Sequence, residues 1–224
     1  MAWTIIGVSN VVEDTGGAFT LGAPGGTPAI GDLLVACIAC RGNFAVTAPT
    51  DVTWGLVAPQ QQSGDVVATG AGIASGVMYY TVLTTAADPS FAFTRAAGTG
   101  VLQGTILRYR GGSATTPYRT GNAATRGTAG QPTAATISAT AGDLLVYMVS
   151  SGDDNTVGAF DAVTHPATAS GSDAVQAGAR NTGTNPTTGT WVLRINQITT
   201  TGADSGIAVA DAVKTDTAAT GTMS

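Results

Sequence analysis

The five residues Gly-Asp-Leu-Leu-Val occur twice, from Gly31 and from Gly142, each time opening an apolar run: "GDLLVACIAC" and "GDLLVYMVSS". Side chains along a strand point to opposite faces in turn. A run that is apolar on both sets of positions therefore describes a central strand, buried on both faces. Gly and Asp supply the turn that leads into it. The rest of the chain suits such strands. Only 10% of residues are charged, Glu13 is the sole Glu and Lys214 the sole Lys, so the long charged side chains that coat helical surfaces are nearly absent. Thr, Val and Gly-rich turns fit a sandwich or barrel instead.

The repetition extends further along the chain. "PTDVTW" at 49–54 has a counterpart in "PTTGTW" at 186–191, and "SGVMYYTVLTTAAD" at 75–88 in "SGIAVADAVKTDTA" at 205–218. The order of the three segments is kept while the spacing between them drifts. That is the behaviour of strands joined by loops, because loops accept insertions far more readily than strands do. Further strands are expected at "TIIGVSN" (4–10), "SFAFTR", "GVLQGTILRYR" and "TWVLRINQIT". "DAVQAGAR" at 173–180 is the best candidate for a turn or two of helix. The fold expected is all-β, an antiparallel, jelly-roll-like β-sandwich of two pseudo-repeated halves in one domain spanning 1–224. The first half covers about 1–112, an extended connector about 113–138, and the second half about 139–224.

The halves are unequal. After its Tyr-Tyr strand the first half continues through "SFAFTR" and "GVLQGTILRYR", whereas the second ends soon after "AVKTDTAAT". Two readings stand for the sheet edge this leaves: the N-terminal strand at 4–10 fills it, or a neighbouring subunit does, since an uncovered edge invites pairing.

A net charge of −5 with no basic cluster beyond Arg108 and Arg110 argues against nucleic acid as a partner. The longest apolar run, "LLVACIAC", is far too short for a membrane-spanning helix. The start "MAWTIIGVSN" lacks the basic segment of a secretory signal; either the protein is not exported by that route or a leader has been removed, and Met1 favours the first.

Each candidate for chemistry has a structural alternative. Cys37 and Cys40 form a C-x-x-C, which on a helix or tight turn allows redox or zinc chemistry. In a strand, residues three apart face opposite ways with Cα atoms about 10 Å apart, and a disulfide needs them within roughly 7 Å. Both are therefore read as small core hydrophobes. His165, the sole histidine, has no nucleophile elbow or recognisable triad spacing around it. Asp153, Asp154 and Asn155 cluster in "SGDDNTVG", where Asx residues make either a turn or a sparse Ca²⁺ site. Trp54 and Trp191 fall at equivalent places in the repeat, which suits a structural ring at each end of the core; sugar stacking is the other reading. Tyr79 and Tyr80 are adjacent in a strand and so face opposite ways, one into the core and Tyr80 a candidate for a sugar or an interface. No catalytic residue or cofactor is assigned. Phosphate loops, dinucleotide fingerprints and HExxH motifs are all missing from the sequence.

Taken together, the doubled "GDLLV", "PTDVTWGLV", "MYYTVLTTAADPSFAF" and "GTILRYRG" resemble a family of small β-sandwich, jelly-roll-like accessory virion proteins of tailed bacteriophages and prophages. The resemblance covers most of the chain and is strongest over residues 29–112; the early end of the second half departs from it. It implies a virion location and a non-enzymatic role as a capsid decoration or a head or tail fibre element. Other virion proteins, further copies of the chain in a homo-oligomer and a host surface glycan are the partners it implies. A carbohydrate-binding, receptor-recognition module is the alternative.

Overall fold

A computed structural model of the chain describes residues 3–14, 18–41, 45–57, 61–62, 74–95, 101–112, 117–118, 138–151, 192–198 and 205–214. Within them lie the strands β1 (Thr4–Val8), β2 (Val12–Asp14), β3 (Ala18–Thr20), β4 (Leu33–Arg41), β5 (Val46–Thr47), β6 (Gly55–Leu56) and β7 (Gln61–Gln62). They are followed by β8 (Ala74–Val82), β9 (Ala92–Arg95), β10 (Leu102–Arg110), β11 (Leu144–Ser151), β12 (Val192–Ile198) and β13 (Gly206–Val213). The described residues contain no helix, and so none long and apolar enough to cross a membrane. The helical turn expected at 173–180 lies outside them.

The first Gly-Asp-Leu-Leu-Val run organises the fold. Its strand, β4, lies in the middle of a seven-stranded antiparallel sheet ordered β1-β10-β4-β8-β6, with β2 also on β10 and β7 also on β8. Eight of its nine residues are buried, because a layer covers each face of the sheet. Leu34, Ala36, Ile38 and Cys40 join Val77, Leu102 and Ile106 in one core, closed by Phe19, Val46 and Phe93. These last three are the inward residues of a second sheet ordered β3-β9-β5. Leu33, Val35, Cys37 and Ala39 join Leu107 and Tyr109 in the other core, closed by Ile207 and Val209 from a third sheet ordered β11-β13-β12. The all-β antiparallel sandwich thus has three layers, with the wide sheet in the middle. The layers approach closely at Gly104, where an added Cβ would stand 2.5 Å from Leu21 Cδ2 and 2.9 Å from Phe19 Cε1.

The repeated sequence has a repeated geometry. Gly31 and Gly142 adopt φ of 88° and 89°, left-handed values that favour glycine. The Asp after each glycine accepts the N–H three residues back, Ala29 at 2.9 Å and Thr140 at 2.7 Å. Gly31 N–H donates to Leu83 O, and Gly142 N–H to Lys214 O, both at 2.8 Å. Beyond the turns, Leu33 pairs with Val82 as Leu144 pairs with Val213. Gly55, after Trp54, pairs with Tyr80 as Val192, after Trp191, pairs with Asp211. The strands β11, β13 and β12 therefore take up the arrangement of β4, β8 and β6. Along β13 the match is shifted by one from the serines, since Gly206 rather than Ser205 stands opposite Ser151 as Ser75 stands opposite Cys40. The match is of a three-strand unit; the other strands of the first half have no counterpart among the described residues.

Two expectations are corrected. The second run was expected as a central strand, but among the described residues β11 is an end strand of its three-stranded sheet, although it is still apolar on both faces. The N-terminal strand does not fill an edge of the second half: β1 pairs with β10 in the first sheet, Thr4 opposite Arg110. The physical reason is that Ser9 is wedged between β1 and β2. Its N–H donates to Ile106 O, its Oγ accepts Ile106 N–H and its carbonyl accepts Thr105 Oγ1 at 3.0 Å. This fixes the segment along β10.

Cys37 and Cys40 are free thiols on opposite faces of β4, each in a different core. Burial raises both thiol pKa values, that of Cys40 to about 12 despite the Arg95 charge. The thiolate is the reactive form. Both cysteines are therefore expected to resist alkylation by iodoacetamide in the native protein and to react together on denaturation, as mass spectrometry of the labelled chain would show. Rapid labelling of native protein would contradict the two-sided burial.

Candidate functional site

Polar and charged side chains gather at two places. The first is the end of the sandwich where β4 begins and β8 and β10 finish. Alternation along β10 sends Arg108 and Arg110 to the same face as Asp32, with Tyr109 opposite. Arg110 grips Asp32 through Nε at 2.7 Å and Nη2 at 2.9 Å. Arg108 is fully buried; it pairs with Asp88, donates to Gly26 O at 2.6 Å and to Gly25 O at 3.3 Å, and keeps its Nε 3.9 Å from Asp32 Oδ2. Arg110 also donates to Thr27 O at 3.0 Å. The two guanidinium groups thus hold the 25–27 loop, the Gly31 turn and the 83–88 loop as one piece.

Burial pushes the Asp32 carboxyl up, but the hydrogen bonds from Arg110 and Ala29 and the charges of Arg110 and Arg108 outweigh it, and the pKa lies below its usual 3.8. A carboxyl held lower in the folded state contributes stability above its unfolded pKa, and that contribution is lost as pH falls through the folded value. At the other extreme, burial raises the pKa of Tyr109 and Tyr147, the latter to about 12, and of both thiols. The folded state holds these protons more tightly than the unfolded chain, so stability falls as pH rises. Urea titrations should therefore show a plateau near neutrality, a decline below about pH 4 that Asp32→Asn flattens, and a decline above about pH 9.

The second place is the interface between the first and third sheets. Tyr109 OH donates to Asp211 Oδ2 at 2.8 Å, and Arg194 closes a two-pronged pair on the same carboxylate through Nε at 2.8 Å and Nη2 at 2.9 Å. Gln103 Nε2 donates to Ser205 O at 2.8 Å. Gln103 and Tyr109 lie six residues apart on or beside one strand, as do Ser205 and Asp211, a span of about 20 Å. β10 and β13 consequently run in the same direction across the layers, clamped at both ends with Leu107, Ile207 and Val209 between them. This cluster draws on three separate strands; only the polar letters inside otherwise apolar runs hint at it in sequence.

Of the residues singled out from sequence, Trp54 packs edge-on against Phe93 with centroids 5.4 Å apart, beside the first core. Its buried indole N–H has no acceptor among the described residues. Tyr79 turns to the same core and donates to Val46 O at 2.6 Å. Tyr80 turns to the other, where its ring lies over Gly55 and stacks on Tyr118 at 5.2 Å; Tyr118 OH in turn donates to Val57 O. Trp54 and Tyr80 are thus on opposite faces of the sheet and form no common platform. Trp191, His165, Asp153, Asp154 and Asn155 lie outside the described residues. Among the described residues no three His, Cys, Asp or Glu side chains are grouped to hold a metal ion.

No known protein family, no curated protein and no solved structure matches the chain.

Proposed function

We propose that the chain is a non-enzymatic structural protein of a tailed-bacteriophage virion, a capsid decoration or a head or tail fibre element that acts through subunit assembly with other virion proteins. The reading rests on the sequence resemblance and is supported by one observation above all. The charged side chains of both polar clusters are bound to one another and to backbone carbonyls, so that they brace loops and layers. Such bracing suits a rigid exterior module whose work is to hold a shape. The test is to purify particles by density gradient and blot for the protein. It is expected to co-sediment with intact virions and to survive a salt wash; recovery only in the soluble lysate would overturn the reading.

A second reading, a carbohydrate-binding module for host recognition, is favoured by the half-buried Tyr80–Tyr118 stack, since aromatic faces beside polar groups suit sugar rings. A glycan array with the native protein and with Tyr118→Ala tests it: binding to a defined glycan, lost in the variant, supports it, and an array without signal removes it.

A further inference from the structure

Tyr118 is the only aromatic residue of the connector 113–138, and its ring meets that of another tyrosine. It lies nearly parallel to the ring of Tyr80, with centroids 5.2 Å apart and planes inclined by 22°. Both rings are held in place. Tyr80 stands within β8, its backbone opposite Val35 of β4 and Gly55 of β6, and its ring lies so close to Gly55 that any Cβ there would strike it. Tyr118 OH donates to Val57 O, and Val57 N–H donates to Met78 O of β8 at 3.0 Å. Both tyrosines are half-exposed, so small solutes reach them. The other three tyrosines of the chain are placed differently. Tyr79 meets Phe93 beside the first core, and Tyr109 and Tyr147 are buried.

Stacking asks only for two aromatic rings; two phenols in that arrangement add a reaction. A phenol that gives up one electron and its proton becomes a phenoxyl radical, whose unpaired spin lies partly on the ring carbons beside the oxygen-bearing one. Two such radicals held face to face join through those carbons. Holding them together in advance turns an encounter between two groups into a single-molecule step.

We propose that Tyr80 and Tyr118 form an oxidative cross-linking site, at which a one-electron oxidant fed by a peroxide couples the two rings into a dityrosine that fastens the connector to the first sheet. Each phenol loses one electron and one proton. A bond forms between a Cε of Tyr80 and a Cε of Tyr118, and the hydrogen on each of these carbons moves to the phenolic oxygen as the ring regains its aromaticity. The chain loses two electrons and two protons in all. The peroxide accepts the electrons as its O–O bond breaks, hydrogen peroxide taking up the protons as well to leave two waters. The new bond closes a loop from β8 to the connector, and a closed loop stabilises the fold by restricting the unfolded chain. The inference rests on neither functional reading, since a chain absent from virions or silent on a glycan array would still carry the bond.

Photo-oxidation of dilute native protein with ruthenium tris-bipyridyl and peroxydisulfate tests it. The expected product is a single chain lighter by two hydrogens, with dityrosine fluorescence, in which peptide mapping joins the Tyr80 and Tyr118 peptides. Tyr80→Phe and Tyr118→Phe keep two rings in place but should each lose both the fluorescence and the link, while Tyr79→Phe keeps them. The linked chain should unfold at a higher urea concentration than the unoxidised one. Oxidation that leaves Tyr80 and Tyr118 unlinked, a link found only between chains, or fluorescence that persists in Tyr118→Phe would overturn the inference. A linked chain with an unchanged urea midpoint would overturn its part as a fastening.

Discussion

Replacing Asp211 with alanine is expected to lower the unfolding free energy by about 3–5 kcal/mol, the cost of breaking a buried ion pair from one side. The carboxylate sits 4% exposed between the first and third sheets. It takes a hydrogen bond from Tyr109 and two from Arg194. Its removal leaves a buried hydroxyl without an acceptor and a guanidinium, itself mostly buried, without a counter-charge. Asp211→Asn keeps the shape and one acceptor, so its loss should be about half as large. Tyr109→Phe removes only one hydrogen bond, about 1 kcal/mol. Urea denaturation of the three variants at pH 7 gives the ranking directly. A loss below 1 kcal/mol for the alanine variant would mean that the Asp211 cluster does not fasten the third sheet, which its apolar contacts and the Gln103–Ser205 hydrogen bond then hold.

The other large effect is expected at Phe93, on the opposite side of the central sheet. Its ring is fully buried and meets Trp54 at 5.4 Å and Tyr79 at 5.8 Å. Its backbone is opposite Phe19 in the second sheet. That sheet is made of strands two to four residues long, so two phenylalanines and Val46 supply most of the apolar surface that fastens it. Phe93→Ala should therefore cost about 3–5 kcal/mol, close to 10 °C or more in Tm for a chain of this size. Phe93→Leu, which fills more of the space, should cost clearly less. Near-ultraviolet circular dichroism should lose the Trp54 signal in the alanine variant. An unchanged signal with a small loss of stability would contradict the packing described.

How far the sequence foretold this depends on the residues. The long strands were legible because their signal is local. Every second residue of β4 is apolar on each face, and that pattern requires burial on both sides. The same alternation places Cys37 and Cys40 on opposite faces. The turn before each Leu-Leu-Val was legible because Gly and Asp have few other uses in sequence with an apolar run. The short strands β2, β3, β5, β6 and β7 were not anticipated, since segments of two or three residues are too short to carry a periodicity. Their pairing is imposed by the long strands beside them. The polar clusters were hidden for a different reason. Arg108 reads as a surface charge until the topology brings Asp32 and Asp88 to it from far along the chain. Asp211 reads as a defect in an apolar strand until Tyr109 and Arg194 arrive from two others. Nothing in a linear pattern encodes those meetings.

The same distinction bears on function. The resemblance to accessory virion proteins is a matter of local letters, whereas a rigid assembly module is a matter of how three layers are fastened. Electron cryo-microscopy of purified particles joins the two most directly. The expected result is symmetry-related density on the capsid or tail into which the three-layered block fits, with each copy touching a neighbour. Particles whose every repeated feature is accounted for by other proteins, with this chain left in the supernatant, would contradict the account.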